Sequence, residues 1–241
     1  MIPISDPDLR RRRFPVVSVL LIGANSLVFL YELSLGSGRT AFFYRLGLVP
    51  AELTTGREFL QLVAGGRVVD IASPVPTWAT LLTSMFIHGD LVHFASNMLY
   101  LWVFGDNVED RAGRLLYLGL YVLAGVVAAL TQVLVAADSE VPIVGASGAI
   151  AGILGCYFVL FPGSRIRTII IGYFIAQVRI PAVYLLGFWL LLQFWEGVGS
   201  LGPSAQAGGV AYWAHLGGFV AGVLAVLLLR ILRVGGFRIP R

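Results

Sequence analysis

Ser147 lies in the run VGASGAIAG, flanked by small residues at the beginning of an apolar stretch. A serine hydroxyl attacks a carbonyl only when a base removes its proton, and a histidine neutral near pH 7 suits that role. The chain has three histidines, His88, His93 and His215. His215, in YWAHLGGFVAG, stands near the start of another apolar stretch and is the candidate base. The run FIHGDLVHFASNMLYLW sets His93 and Asn97 four residues apart, on one face of a helix. Both carry N–H donors suited to a developing oxyanion, as do the free backbone N–H groups at a helix start beside Ser147. Together these residues could carry out acyl transfer by a Ser-His pair. No acidic residue occurs at matching depth in the stretches holding Ser147 and His215, so a dyad is expected rather than a triad. Asp138 and Glu140 are read as loop residues preceding the serine.

Each feature also has a plain structural reading. A lone GxSG occurs often by chance. His93 and Asn97 would serve equally to cross-link helices by hydrogen bonds. His88 precedes its apolar stretch and reads as a loop or interfacial histidine. Cys156, Trp102, Trp189, Trp195 and Trp213 read as packing or interfacial-belt residues.

The composition says where such a site must be built. Hydrophobic residues make up 58% of the 241 and charged residues 12%, with a mean hydropathy of +0.86. A soluble domain carries about 25% charged residues, so most of this chain has lipid as its solvent. The length allows one domain. All 17 basic residues are arginine, and they lie between apolar runs rather than along one face, which argues against nucleic acid as a partner. The lone Cys156 excludes an intrachain disulfide, and neither CxxC nor HExxH occurs, so no metal or other cofactor is expected.

A helix crossing about 30 Å of hydrocarbon needs about 20 apolar residues. Six candidates fall at about 15–34, 91–108, 114–136, 146–162, 181–198 and 213–233. The first, Phe14 to Leu33, is too long for a typical signal peptide and is kept as an anchor. Residues 35–90 are too mixed to span and read as a long loop with short helical or interfacial pieces. Residues 166–180 are apolar but closely flanked by arginines, and read as an interfacial or hairpin-like segment. With the N-terminus cytoplasmic, thirteen of the 17 arginines fall on the cytoplasmic side, so six spans with both ends inside are expected. The domain plan is then a basic cytoplasmic N-terminus (1–14), a membrane domain (15–233) and a basic cytoplasmic tail (234–241).

Spans two, four and six all begin on the non-cytoplasmic side. His93, Asn97, Ser147 and His215 lie in their first two turns, on the order of 10 Å below the outer surface at about 1.5 Å per residue. Four polar residues from three helices therefore reach one depth, where intramembrane polar groups are functional suspects. Gly148, Gly152 and Gly155 line span four, and Gly218 and Gly222 form GxxxG in span six beside Gly217. Small residues let membrane helices approach closely, as Ser147 and His215 require.

HGDLVHFASN, GASG and AHLGGFVAG, in this order and on alternate spans, resemble the rhomboid intramembrane serine proteases over about residues 15–233. The resemblance implies an all-α six-helix bundle around a water-filled cavity open to the non-cytoplasmic side. It implies Ser147 as nucleophile, His215 as base, and His93 with Asn97 as oxyanion binders. Gly145 precedes the serine as the family pattern requires, and Glu109 matches a structural acid at the cytoplasmic end of span two. Substrates would be single-pass membrane proteins in the lipid bilayer, cut in or near their transmembrane helix, with access gated by span five and the loop around Gly199–Gly209. The membrane would be the cell membrane of a prokaryote; the oligomeric state is not implied. Two positions depart from the pattern. Ala151 stands where some members pack an aromatic residue on the base, leaving Tyr212 or Phe219 to replace it, and Trp78 lacks a following arginine. The competing readings are an inactive relative that binds membrane clients, a polytopic transporter, and a lipid hydrolase using the same dyad.

Overall fold

The computed structural model describes residues 1–9, 13–64, 66–172, 175–201 and 210–234. Strand β1 (Ile2–Ser5) precedes helix α1 (Val16–Ser34). Short helices α2 (Arg39–Leu46) and α3 (Pro50–Thr55), a hairpin of β2 (Gln61–Ala64) and β3 (Arg67–Asp70), and helix α4 (Thr80–Thr83) follow. Then come α5 (Leu91–Ala112), α6 (Arg114–Val135), α7 (Ser147–Leu160), β4 (Arg165–Ile171), β5 (Ile175–Pro181), α8 (Ala182–Gly199) and α9 (Tyr212–Ile231). Arg10 to Arg12, most of the loop up to Gly209, and the tail from residue 235 lie outside the described residues.

Helices α1, α6, α8 and α9 are long and apolar enough to cross a membrane. Helix α5 has 22 residues but carries Asp106, Glu109, Asp110 and Arg111 in its last two turns. It runs past its expected end at 108 because Glu109 is not left facing lipid. The first turn of α1 lacks a side-chain cap of its own, and the Glu109 carboxylate supplies one across the bundle. It accepts from Val17 N (2.9 Å), Ser18 N (2.8 Å) and Ser18 Oγ (2.9 Å). A buried carboxylate on a helix N-terminus is favoured both by the orphan N–H groups and by the helix dipole. Glu109 therefore fastens the start of α1 to the end of α5.

Helix α7 has 14 residues, about 21 Å at 1.5 Å per residue, which is short of the hydrocarbon thickness. It is instead the central element: every residue from Gly148 to Tyr157 is buried, and α5, α6 and α9 pack around it.

The expectation of an all-α chain is corrected. β4 and β5 form an antiparallel hairpin, Arg165 opposite Pro181 and Ile171 opposite Ile175, and β1 adds to β4 with Ile2 opposite Ile169. The segment is rich in β-branched isoleucine and too short to cross as a helix. Its backbone groups satisfy one another by strand pairing instead. Asp6, just after β1, accepts from Ser164 Oγ (2.7 Å) and from the Tyr157 hydroxyl. The N-terminal segment thus closes over the C-terminal end of α7.

Candidate active site

Ser147 is the first residue of α7, so the N–H groups around it have no intrahelical acceptor. The turn before it is held from two sides. Gly145 N donates to Ser84 O (2.9 Å), and Ile143 exchanges two backbone hydrogen bonds with Leu48 (2.7 and 3.0 Å). The 35–90 segment thereby braces the serine from outside the bundle. Gly145 has φ +127°, where side chains are strained. A Cβ on it would lie 2.7 Å from His93 Nε2 and 3.5 Å from Ser147 Oγ. The His93 imidazole and the serine hydroxyl thus border one space, which exists because residue 145 has no side chain.

His93 is oriented from below. Glu32 on α1 accepts from His88 N (3.1 Å) and pairs with Arg39 (3.6 Å), whose guanidinium donates to His88 O and Gly89 O (both 3.2 Å). The loop so fixed directs Gly89 N at His93 Nδ1 (3.4 Å). With Nδ1 accepting, Nε2 carries the hydrogen and faces the Gly145–Ser147 turn as a donor. One turn on, Asn97 is buried, and among the described residues its Nδ2 has no acceptor. A buried unpaired amide is a donor kept in reserve. His88 is indeed in the loop before α5, but it is fully buried rather than interfacial. Its ring packs against Phe29, Phe94 and His93. Burial, with some help from His93, pushes its imidazole down to about 4, so it stays neutral beside its neighbours.

His215, in the first turn of α9, is buried and close enough to His93 to couple electrostatically. Gln132 Oε1 of α6 accepts from Ala214 N (3.2 Å) and caps the helix there. Helices α7 and α9 touch through backbone. A Cβ on Gly148 would meet Ala214 Cβ and O at 3.9 Å, and one on Gly218 would overlap the Gly148 carbonyl. The residues adjoining Ser147 and His215 are therefore in contact, although no hydrogen bond joins the two side chains among the described residues. Such contacts are often loose before substrate binds.

The ring partner of His215 is neither Tyr212 nor Phe219. It is Trp189 of α8, with ring centroids 5.9 Å apart and tilted by 38°; Phe219 packs on Trp189 instead. Gln193 Oε1 lies 2.6 Å from His215 Nδ1, a partner the sequence reading missed. The available signal was a single amide amid the apolar run LLLQFW. Two cavities flank the helix bundle. One of about 190 Å³ opens between α5 and α8, lined by Tyr100, Leu185, Trp189 and Leu192 among others. The other, about 610 Å³, lies at the opposite end beside Arg13, Glu109 and Arg114. Among the described residues no three of His, Cys, Asp and Glu gather as a metal-binding group.

Comparison with known proteins points the same way. A family model described as "Rhomboid domain" matches residues 76–231. Rhomboid protein 1, mitochondrial, of Saccharomyces cerevisiae is 30% identical over 149 residues, which is 60% of this chain and 40% of that protein. Rhomboid-like protein 11, chloroplastic, of Arabidopsis thaliana is 30% identical over 179 residues, 71% of this chain and 59% of the relative. Presenilin-associated rhomboid-like protein, mitochondrial, of Homo sapiens is 32% identical over 96 residues, 39% of this chain and 25% of the relative. The chain thus spans between a quarter and three fifths of these relatives. These relatives are named as mitochondrial or chloroplastic proteins and lend no support to a prokaryotic cell membrane. With the match covering well over half its length, this chain, an integral membrane protein, belongs to the rhomboid family.

Proposed function

We propose that the protein is an intramembrane serine endopeptidase in which Ser147 is the nucleophile and His215 the general base. The observation that carries this reading is the close approach of α7 and α9 at Gly148, next to Ser147, where Ala214, next to His215, and Gly218, one turn further on, lie against it. The serine Oγ attacks the scissile carbonyl while His215 Nε2 takes its proton. The C–N bond then breaks as Nε2 returns that proton to the leaving amine, and water releases the acyl group by the same route in reverse. His93 Nε2–H, Asn97 Nδ2 and the N–H groups at the start of α7 stabilise the oxyanion. Helices α1, α5, α6, α8 and α9, with the shorter α7 enclosed among them and reached through the loops at its ends, make six passes with both termini cytoplasmic, within the 1–14, 15–233 and 234–241 plan. Substrates are single-pass membrane proteins that approach through the lipid-facing cleft between α5 and α8.

A fluorophosphonate probe tests the nucleophile. Wild-type protein in detergent is expected to label, and Ser147→Ala to remain unlabelled; a wild type that resists the probe at every concentration overturns the reading. That outcome would favour an inactive client-binding relative, the reading to which the missing Ser147–His215 hydrogen bond also speaks. Asn97→Ala is expected to lower the cleavage rate about 10²- to 10³-fold while leaving labelling detectable, as for loss of one oxyanion donor. An unchanged rate removes Asn97 from that role.

A further inference from the structure

Helix α8 is the most lipid-exposed of the four long apolar helices, yet it carries one amide in mid-run. A polar side chain in such a helix is costly unless it has a partner, and the partner here is the imidazole of His215. We propose that Gln193 is a positioning residue that fixes His215 in the tautomer able to act as base, a role that rests on the Ser-His reading above.

A neutral imidazole donates from one nitrogen and accepts at the other. With Gln193 Oε1 at 2.6 Å from Nδ1, the hydrogen must sit on Nδ1, because a carbonyl oxygen can only accept. The Nε2 lone pair is then left for the serine proton. The opposite tautomer would hold Nε2–H toward Ser147 and could not deprotonate it. Trp189 lies one turn before Gln193 on the same face of α8 and covers the ring. Face and edge of the imidazole are thus both set by α8, and among the described residues no carboxylate is bonded to it. Gln193 does not relay the proton. During attack Nε2 takes it from Ser147 Oγ, the imidazolium keeps Nδ1–H on the amide oxygen, and Nε2 gives it to the leaving amine.

The surroundings of His215 leave its titration to few groups. From α5 the facing titratable group is His93. Helix α6 presents the neutral Gln132 and α7 the neutral Ser147, while Glu196, the carboxylate of α8, is exposed. An amide acceptor stabilises imidazolium less than a carboxylate and more than no acceptor. Changing residue 193 should therefore move the acid limb of the cleavage profile in a defined direction.

The experiment combines kinetics with ¹⁵N spectra of histidine-labelled protein in micelles, the His215 signal being assigned by its loss in His215→Ala. Wild type is expected to show His215 as the Nδ1–H tautomer, and an Nε2–H wild type overturns the proposal. Gln193→Leu should lose that signature and lower kcat about 10- to 100-fold with KM within about twofold, its acid limb moving to lower pH. Gln193→Glu should keep Nδ1–H and much of the activity, with the acid limb moved to higher pH. A Gln193→Leu variant with wild-type kcat and limb refutes the role. If that variant does not fold, the wild-type spectrum and Gln193→Glu decide. The spectra are repeated in Ser147→Ala. The tautomer result therefore stands even if that variant still cleaves, an outcome that would remove the Ser147 reading alone.

Discussion

Ser147→Ala is expected to reduce cleavage of a single-pass test substrate by at least about 10³-fold, and His215→Ala to match it. The two act as one unit, so the double variant should be no worse than either single one; groups that share a proton transfer are grossly non-additive. The serine change removes one oxygen from a half-buried side chain that makes no hydrogen bond among the described residues. Folding should be untouched, and the thermal midpoint of Ser147→Ala should coincide with that of wild type. His215→Ala differs. It strips Trp189 of a ring neighbour and leaves Gln193 without its partner, so a loss of about 1–3 kcal/mol in stability should accompany the lost activity. Cleavage measured in proteoliposomes, with fragment masses locating the cut, checks both. Persisting cleavage by Ser147→Ala at the wild-type rate refutes the dyad.

The parts of this site that the sequence disclosed are those that sit on a regular period. Ser147, His93 with Asn97, and the glycines of spans four and six repeat at helical spacing within apolar runs, and an apolar run is itself a strong signal. Glu109 was reached through resemblance, but only coordinates reveal that its carboxylate caps α1 from a distance of 91 residues in the chain. Gln193 escaped because a lone amide in an apolar run shows that a partner is needed but not which one; that partner lies 22 residues away. The segment after α7 was read as interfacial or hairpin-like. That it is a β-hairpin joined by β1 escaped because strand pairing with residues 2–5 is a non-local choice that local pattern does not encode. The aromatic cover on the base was sought on α9 itself, whereas α8 provides it through Trp189. Periodicity within one helix was legible, and contacts between helices were not.

Gly222→Val should leave the protein unable to assemble an active site, and this follows from backbone geometry alone. A Cβ on Gly222 would overlap Gly152 O and stand 2.8 Å from Gly152 C and 3.1 Å from Cys156 N. All three are backbone atoms, so no side chain can rotate away and the whole helix must shift. On the same seam, a Cβ on Gly155 would overlap Phe219 O and stand 3.0 Å from Phe219 C. Carbonyls of one helix therefore lie against glycines of the other, and in lipid, where apolar surface gives no net drive, such close packing holds helices together. Gly222→Ala already requires the pair to separate, at a cost of about 1–3 kcal/mol; valine adds two further methyl groups. Separation at this level also draws His215 away from Ser147, since both lie on the same seam one to two turns towards the N-terminal ends of α7 and α9. Cleavage by Gly222→Ala should fall at least about tenfold, and that by Gly222→Val to background with a lowered thermal midpoint. Gly187, on α8, is the control, because a Cβ there meets nothing within 4 Å. Gly187→Ala should keep wild-type activity, with stability equal to wild type or slightly raised by the better helix propensity of alanine. If Gly222→Ala instead behaved like Gly187→Ala, the α7–α9 seam would not be what sets the distance between nucleophile and base.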